Sequence, residues 1–251
     1  MASPDKAKIA VVSGGAGGIG RAVVLRLIQA GFFPVILDAN ERAGREAIGR
    51  LAAAGSGAEF IPLELTNKSA VQEAFSGAMS RHGRIDLLVN LAGGTLYAHP
   101  IQEFPLSEWL RVLDVNLKAT FLCCQAALPA MKRQRRGVIV NPSSNFAVTG
   151  SATRTAYAAT KTAVIALTKS LALEVHSFGI RVNAVAPGLT ATERVMKLYS
   201  RESWAAQGES LPMRRVAEPA DIAEGVAFLA GDEGAFMTGQ TLHVNGGMVM
   251  P

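Results

Sequence analysis

Cysteine and histidine are scarce in this chain of 251 residues, with two of the first and four of the second. Cys123 and Cys124 are adjacent inside an apolar, helix-patterned segment, where they read as small core residues. Their placement argues against a disulfide framework, and the scattered histidines show no ligand spacing, so no metal is expected. No apolar run reaches the roughly 18–20 residues that a membrane-spanning helix needs. The opening Met1-Ala2-Ser3-Pro4-Asp5-Lys6 lacks the apolar stretch of a secretory signal and leads directly into a strand-like segment. A cytoplasmic protein without a membrane partner is the expectation. Proline- or serine-rich linkers and internal repeats are missing as well, so residues 1–251 read as one domain.

Acidic residues are the minority, 20 against 25 basic ones. The basic residues are dispersed, which argues against a nucleic-acid partner. The one dense cluster, Lys132-Arg133-Gln134-Arg135-Arg136, ends a helical pattern just before Gly137. Cations suit the carbonyl end of a helix dipole, and the glycine is available to terminate the helix.

What is present is alternation. Short runs rich in Val, Ile and Leu occur at Ile9–Ser13, Pro34–Asp38, Glu59–Pro62, Leu87–Asn90, Val138–Asn141, Arg181–Val185 and Thr241–Val244. Helix-period segments separate them, around Gly20–Ala30, Glu41–Ala54, Ser69–His82, Ser107–Lys132, Ala156–Phe178 and Pro219–Ala230. Near-continuous apolar strands alternating with helices predict an α/β fold: a Rossmann-like, doubly wound parallel sheet of about seven strands. Such sheets bind ligands beyond the carboxyl ends of their strands. Chemistry is therefore expected just after Ser13, Asp38, Asn90, Asn141 and Val185.

After the first strand stands Ser13-Gly14-Gly15-Ala16-Gly17-Gly18-Ile19-Gly20, opening the first helix. The glycines fit two nucleotide-binding spacings, one at Gly15, Gly17 and Gly20, the other at Gly14, Gly18 and Gly20. Either lets backbone approach a pyrophosphate at a helix N-terminus, where free amides and the dipole favour anions. Asp38 ends the second strand, eighteen residues beyond Gly20. A carboxylate there accepts hydrogen bonds from ribose hydroxyls and repels a 2′-phosphate. No lysine or arginine follows at once or lies between Gly14 and Gly20, so NAD is expected over NADP.

Tyr157 and Lys161, four residues apart on one helix, share a face. A free tyrosine has a pKa of about 10, and a nearby ammonium lowers it by favouring the phenolate. Ser144 follows the strand Val138–Asn141, and its hydroxyl can both donate to and accept from a substrate oxygen.

The ordered set Gly14-x3-Gly18-x-Gly20, Asn90-Leu91-Ala92-Gly93, Asn116, Ser144-x12-Tyr157-x3-Lys161 and Pro187-Gly188 closely resembles the short-chain dehydrogenase/reductase family, from Lys8 to Gly247. The resemblance implies that Tyr157 transfers the substrate proton, Ser144 positions the oxygen, and Lys161 binds the nicotinamide ribose and depresses the tyrosine pKa. Asn116 would support a water-linked proton relay to the lysine, serve buried backbone at a helix kink, or do both. Ser13, Gly14, Gly18, Ile19, Gly20 and Asp38 would cradle the cofactor, with Glu64 and Leu65 at the adenine. Asn90, Ala92 and Gly93 would line the adenine-ribose side. Pro187, Gly188, Thr190 and Thr192 would place the nicotinamide. The departures are Ser13 for the usual threonine, Leu91 for the second asparagine of Asn-Asn-Ala-Gly, and Glu64 for an aspartate.

Residues 189–213 are the expected mobile lid, and Phe146, Leu96, Tyr97, Met196, Tyr199 and Trp204 the candidate apolar wall of a substrate pocket. Arg154 reads as a solvated loop residue, with recognition of an acidic substrate as the alternative. Oxidation or reduction of a secondary alcohol or polyol and its ketone, with NAD, is the first reading. A 3-oxoacyl-thioester reductase is the second, favoured by Gly239–Gly247 but opposed by Asp38, because those relatives generally use NADP. A noncatalytic dinucleotide-binding regulator is the third. By family analogy the long helices around Ser107–Lys132 and Ala156–Phe178 pair across subunits in a homotetramer.

Overall fold

The computed structural model describes residues 7–251; the opening segment read above, residues 1–6, lies outside them. Seven parallel strands form one sheet: β1 (Lys8–Ser13), β2 (Phe32–Asp38), β3 (Glu59–Pro62), β4 (Leu87–Asn90), β5 (Gly137–Pro142), β6 (Ile180–Pro187) and β7 (Thr241–Val244). Their spatial order is β3-β2-β1-β4-β5-β6-β7. The order reverses between β1 and β4, the switch point at which such sheets open a crevice. All seven expected strands are present; β1, β2, β5 and β6 extend beyond the expected ends, and β6 runs to Pro187.

Period-two geometry explains why the central strands are apolar on both sides. Ile9 and Val11 of β1 point into one core, and Ala10 and Val12 into the other. Helices α1 (Gly18–Gln29) and α2 (Glu41–Ala53) cover the second face, joined by the C-terminal helix Pro219–Ala230. Helix α3 (Lys68–His82) covers the first face with two later helices. Local signals set the ends: Asn40 and Asn67 cap α2 and α3 by accepting from Ala43 and Ala70 amides, and left-handed Gly83 closes α3.

The expected helix Ser107–Lys132 is interrupted. It comprises α4 (Leu106–Leu113), a π-helical turn over Asp114–Lys118, and α5 (Ala119–Gln134). The terminator also differs from expectation. Arg135, not Gly137, takes the left-handed cap, at φ 52°. Arg135 is held there by a bond to the Ser177 carbonyl and by packing over Phe178. Gly137 instead opens β5, where a Cβ would fall 2.5 Å from the Met131 sulfur. The remaining helices are α6 (Phe146–Thr149), α7 (Thr155–Val175), α8 (Glu193–Met196), α9 (Arg201–Ser210) and α10 (Pro219–Ala230). Helix α10 starts with Pro219 behind a reciprocal Glu218/Asp221 capping box. Among the described residues, no helix is long and apolar enough to cross a membrane.

Candidate active site

The glycine loop joins β1 to α1 at the switch point. Gly14, at φ 70°, donates its amide to Leu37 O, and a Cβ there would fall 2.6 Å from the Ala92 amide nitrogen. The chain leaving β4 therefore runs directly against the loop. A Cβ on Gly20 would collide with Gly14 O, and one on Gly18 would meet the Thr192 side chain at 2.9 Å. Gly17 stands at the N-cap of helix α1, with no side-chain cap. A side-chain-free cradle at an uncapped helix N-terminus fits the diphosphate of a dinucleotide. Ile19 packs instead against the core.

Asp38 reaches this cradle from β2. One carboxylate oxygen accepts from the Ala16 amide at 3.2 Å and the other from Asn40 at 3.0 Å. The cap of α2 is Asn40, leaving Asp38 to tie the loop and present acceptors at its rim.

Several of the expected cofactor-side residues have partners within the protein itself. Glu64 is drawn to Thr66 and to Arg111 of α4, which together hold its carboxyl below the ordinary range against the upward push of burial. Leu65 is buried in the first core. Asn90, expected along the adenine ribose, spends its side chain beneath the site: it accepts from Ser13 Oγ at 3.3 Å and donates to Asn141 at 2.9 Å. Asn141 in turn donates to Thr168, and the Cys124 thiol lies within this buried group. Ser13 is thus part of the strand scaffold.

Ser144, Tyr157 and Lys161 gather beyond the end of β5. Ser144 is 9% exposed, and its Oγ accepts from the Phe146 amide. Lys161, 3% exposed, donates from Nζ to Pro142 O at 2.8 Å and stands 5.4 Å from the Tyr157 ring centre. Burial lowers its pKa to about 7, helped by the charge of Arg194. The expectation for Tyr157 needs correction. Burial raises its pKa above 10, while Ser144 and Arg194, not Lys161, pull it down.

Asn116 lies in the π turn and is fully buried. Its Oδ1 accepts from the Gly94 amide at 2.9 Å, and its Nδ2 donates to Gly94 O and Val112 O. Its side chain thus serves backbone at a break in the helix, one of the two roles expected of it. The π turn carries Asn116 to the loop after β4, where Gly93, at φ 120°, has no room for a Cβ against it.

At the end of β6, Gly188 packs on Asn245, and Pro187 O accepts from the Asn145 amide. Thr192 caps α8 and lies over Gly18, whereas Thr190 is buried, with its hydroxyl turned to Gly188 O. Of the proposed apolar wall, Phe146 meets Tyr157 edge-on at 6.3 Å, and Tyr199 and Trp204 pair with each other at 5.5 Å. Leu96 and Met196 are exposed. Sequence reasoning missed Arg194, whose guanidinium lies against Gly94. Its one sequence signal is a charge two residues beyond Thr192 in the lid segment.

Comparison with known proteins agrees with this geometry. A family model described as enoyl-(acyl carrier protein) reductase matches residues 14–249. The chain is 39% identical over 244 residues to a 3-oxoacyl-(acyl-carrier-protein) reductase of Staphylococcus epidermidis, covering 97% of this chain and 99% of the relative. It is 37% identical to the protein of that name from Vibrio harveyi, over 97% and 98% of the two chains. Among solved structures, a 3-oxoacyl-(acyl-carrier protein) reductase from Brucella melitensis superposes with a TM-score of 0.90 at 36% identity, covering 99% and 94%. An NAD+-bound xylitol dehydrogenase superposes at 0.89 with 33% identity, covering 96% and 98%.

Proposed function

Because this chain belongs to the short-chain dehydrogenase/reductase family of oxidoreductases, we propose that it reduces the keto group of a 3-oxoacyl compound to the 3-hydroxy product, with NADH as the preferred donor. The observation that carries the substrate reading is identity to 3-oxoacyl reductases over nearly the whole chain. It moves the second sequence-based reading ahead of the secondary-alcohol or polyol dehydrogenase, which keeps one neighbour in its favour. Retention of Ser144, Tyr157 and Lys161 together favours an enzyme over a noncatalytic regulator. The NAD reading rests on Asp38, whose carboxylate stands at the rim of the glycine cradle.

The nicotinamide, when bound, supplies the hydride. Tyr157 Oη donates the proton that completes the alcohol, and takes it back in the reverse direction. Ser144 Oγ holds the reacting oxygen beside that hydroxyl. The Ser144 hydroxyl and the charge of Arg194 favour the phenolate once the proton has left, and Lys161 would hold the nicotinamide ribose. Asn116 fixes Gly94, and with it the loop that closes one side of the site. Gly14, Gly18, Gly20 and Thr192 would hold the diphosphate end of the cofactor, and Pro187 and Gly188 would border its nicotinamide end. Residues 189–213 form the lid. The exposed apolar faces of α4, α5 and α7 support a homo-oligomer, in the tetrameric form of the family analogy.

The test is a reductase panel with NADH and NADPH in parallel: 3-oxo esters and thioesters, simple ketones and keto sugars. The expected outcome is highest kcat/KM on a 3-oxo compound, at least about tenfold better with NADH, and near-complete loss in Tyr157→Phe. Preference for a keto sugar would restore the polyol reading.

A further inference from the structure

Ser144 stands in the turn between β5 and α6, and its hydroxyl is occupied within the site, accepting from the Phe146 amide. Its place is therefore set by its two neighbours in the chain. Upstream, Ser143 donates its amide to Val185 O and its hydroxyl to Lys161 O. Downstream, Asn145 donates its amide to Pro187 O at 3.3 Å. Its side-chain Oδ1 accepts at 3.2 Å from Nδ2 of Asn245, 100 residues further along. Both asparagines are buried, at 3% and 8% exposure.

Asn245 follows β7 and organises the turn beyond it. Its Nδ2 also donates to Val249 O at 2.8 Å, and its Oδ1 accepts from the Gly247 amide at 2.9 Å. That turn holds the end of the proposed lid: Gly246 O accepts from the Met213 amide, and a Cβ on Gly247 would fall 2.8 Å from Pro212. One asparagine thus anchors the C-terminal turn, the end of residues 189–213 and the residue after Ser144. Asn145 supplies a second observation. Its Nδ2 is buried and has no hydrogen-bond partner among the described residues, an arrangement that costs stability. A side chain that only filled space would be apolar and escape that cost, so the amide serves the bond to Asn245.

We propose that Asn145 and Asn245 are a positioning couple for the reaction: their bond fixes the turn that sets the Ser144 hydroxyl against Tyr157. This rests on the roles given above to Ser144 and Tyr157 and adds to them a tie from outside the site. Small displacements matter there, because a misplacement of about 1 Å can cost about 100-fold in rate. They also change the proton chemistry. Burial raises the Tyr157 pKa and the Ser144 hydroxyl draws it back, so a displaced hydroxyl lets it rise.

The experiment measures kcat and KM in both directions, on the panel substrate of highest kcat/KM, with Tm and NADH affinity alongside. Asn145→Leu and Asn145→Ala should lose about 10- to 30-fold in kcat, with KM and NADH affinity within about threefold of wild type. The rising limb of the oxidation rate against pH should move up by about half a unit to one unit. Because the unpaired donor is gone, at least one of the two should keep its Tm within about 5 °C of wild type. Asn245→Ala should lose as much kcat and also raise KM, since the end of the lid is loosened, and the double variant Asn145→Leu/Asn245→Ala should lose no further kcat. Asn245→Asp should keep kcat within about threefold, because Asn145 can turn its spare donor to the carboxylate. Unchanged kcat and pH limb in the Asn145 variants, or additive kcat losses in the double variant, would overturn the proposal. So would a Tm lowered by more than about 5 °C in both Asn145 variants, which would make the residue structural. Full turnover in Tyr157→Phe, by contrast, would overturn the proton-transfer reading on which the couple rests.

Discussion

Lys161 carries an ammonium on a side chain that is 3% exposed, with the Pro142 carbonyl as its one hydrogen-bond partner among the described residues. Its pKa of about 7 in the fold, against about 10.5 when solvated, is a statement about stability. Between those values the unfolded chain binds more protons than the folded one, so this group makes stability climb as pH rises from about 7 to about 10.5. Below about pH 7 its full penalty is present. Lys161→Met removes the dependence. Relative to wild type, the variant should be more stable at pH 6 than at pH 9.5, by a double difference on the order of 3 kcal/mol. Chemical denaturation at the two pH values measures it; identical pH responses of the two proteins would refute the assignment. The residues of this centre were legible in sequence because their relation is local: four residues along one helix, and one strand end. Arg194 was not, because it reaches Gly94 from a separate lid segment, a relation that neither period nor spacing encodes.

At the scale of elements, helix α1 shows how a site is built from missing side chains. A Cβ on Gly20 would meet the Gly14 carbonyl and approach Gly15 Cα at 2.7 Å, and both obstacles are backbone. Gly20→Ala should therefore cost about 1–3 kcal/mol in a thermal or denaturant melt and weaken NADH binding more than about tenfold. Gly49 of α2 is a matched control, exposed and with nothing within 4 Å of a Cβ. Gly49→Ala should stabilise by about 0.5–1 kcal/mol. Strands were legible as short, near-continuous apolar runs buried on both faces, and most helices from their 3.6-residue period. The π turn at Asp114–Lys118 was not, since the apolar pattern runs through it without a proline or glycine to mark the break. The inducement is tertiary: Asn116 binds Gly94, 22 residues earlier.

For the whole molecule, the unpartnered surface is as informative as the core. Leu110 and Phe121 are 51% and 45% exposed, and with Leu113, Leu117 and Leu167 they line an open cleft of about 460 Å³ across α4, the π turn, α5 and α7. A monomer gains nothing from that arrangement, whereas a second copy would cover it. Leu110→Glu combined with Phe121→Lys should shift the protein to a smaller species on size-exclusion chromatography with light scattering. An unchanged elution mass would exclude this face as the contact. The doubly wound architecture was legible from alternation alone, whereas for this face only the family analogy pointed to the two long helices, because exposed and core apolar residues share one helical pattern.

The sheet order also sets a timetable for synthesis. Strands β1, β2 and β3 are neighbours in space and in sequence, so the first half of the sheet can pair as it emerges from the ribosome. The inner edge of β1 cannot be covered until β4 arrives, beginning at Leu87. Until then a strand destined for the centre of the sheet is an open edge, the surface most prone to pairing with another chain. The crevice that makes the fold useful thus borders an edge that stays open to misassociation from the synthesis of β1 until that of β4.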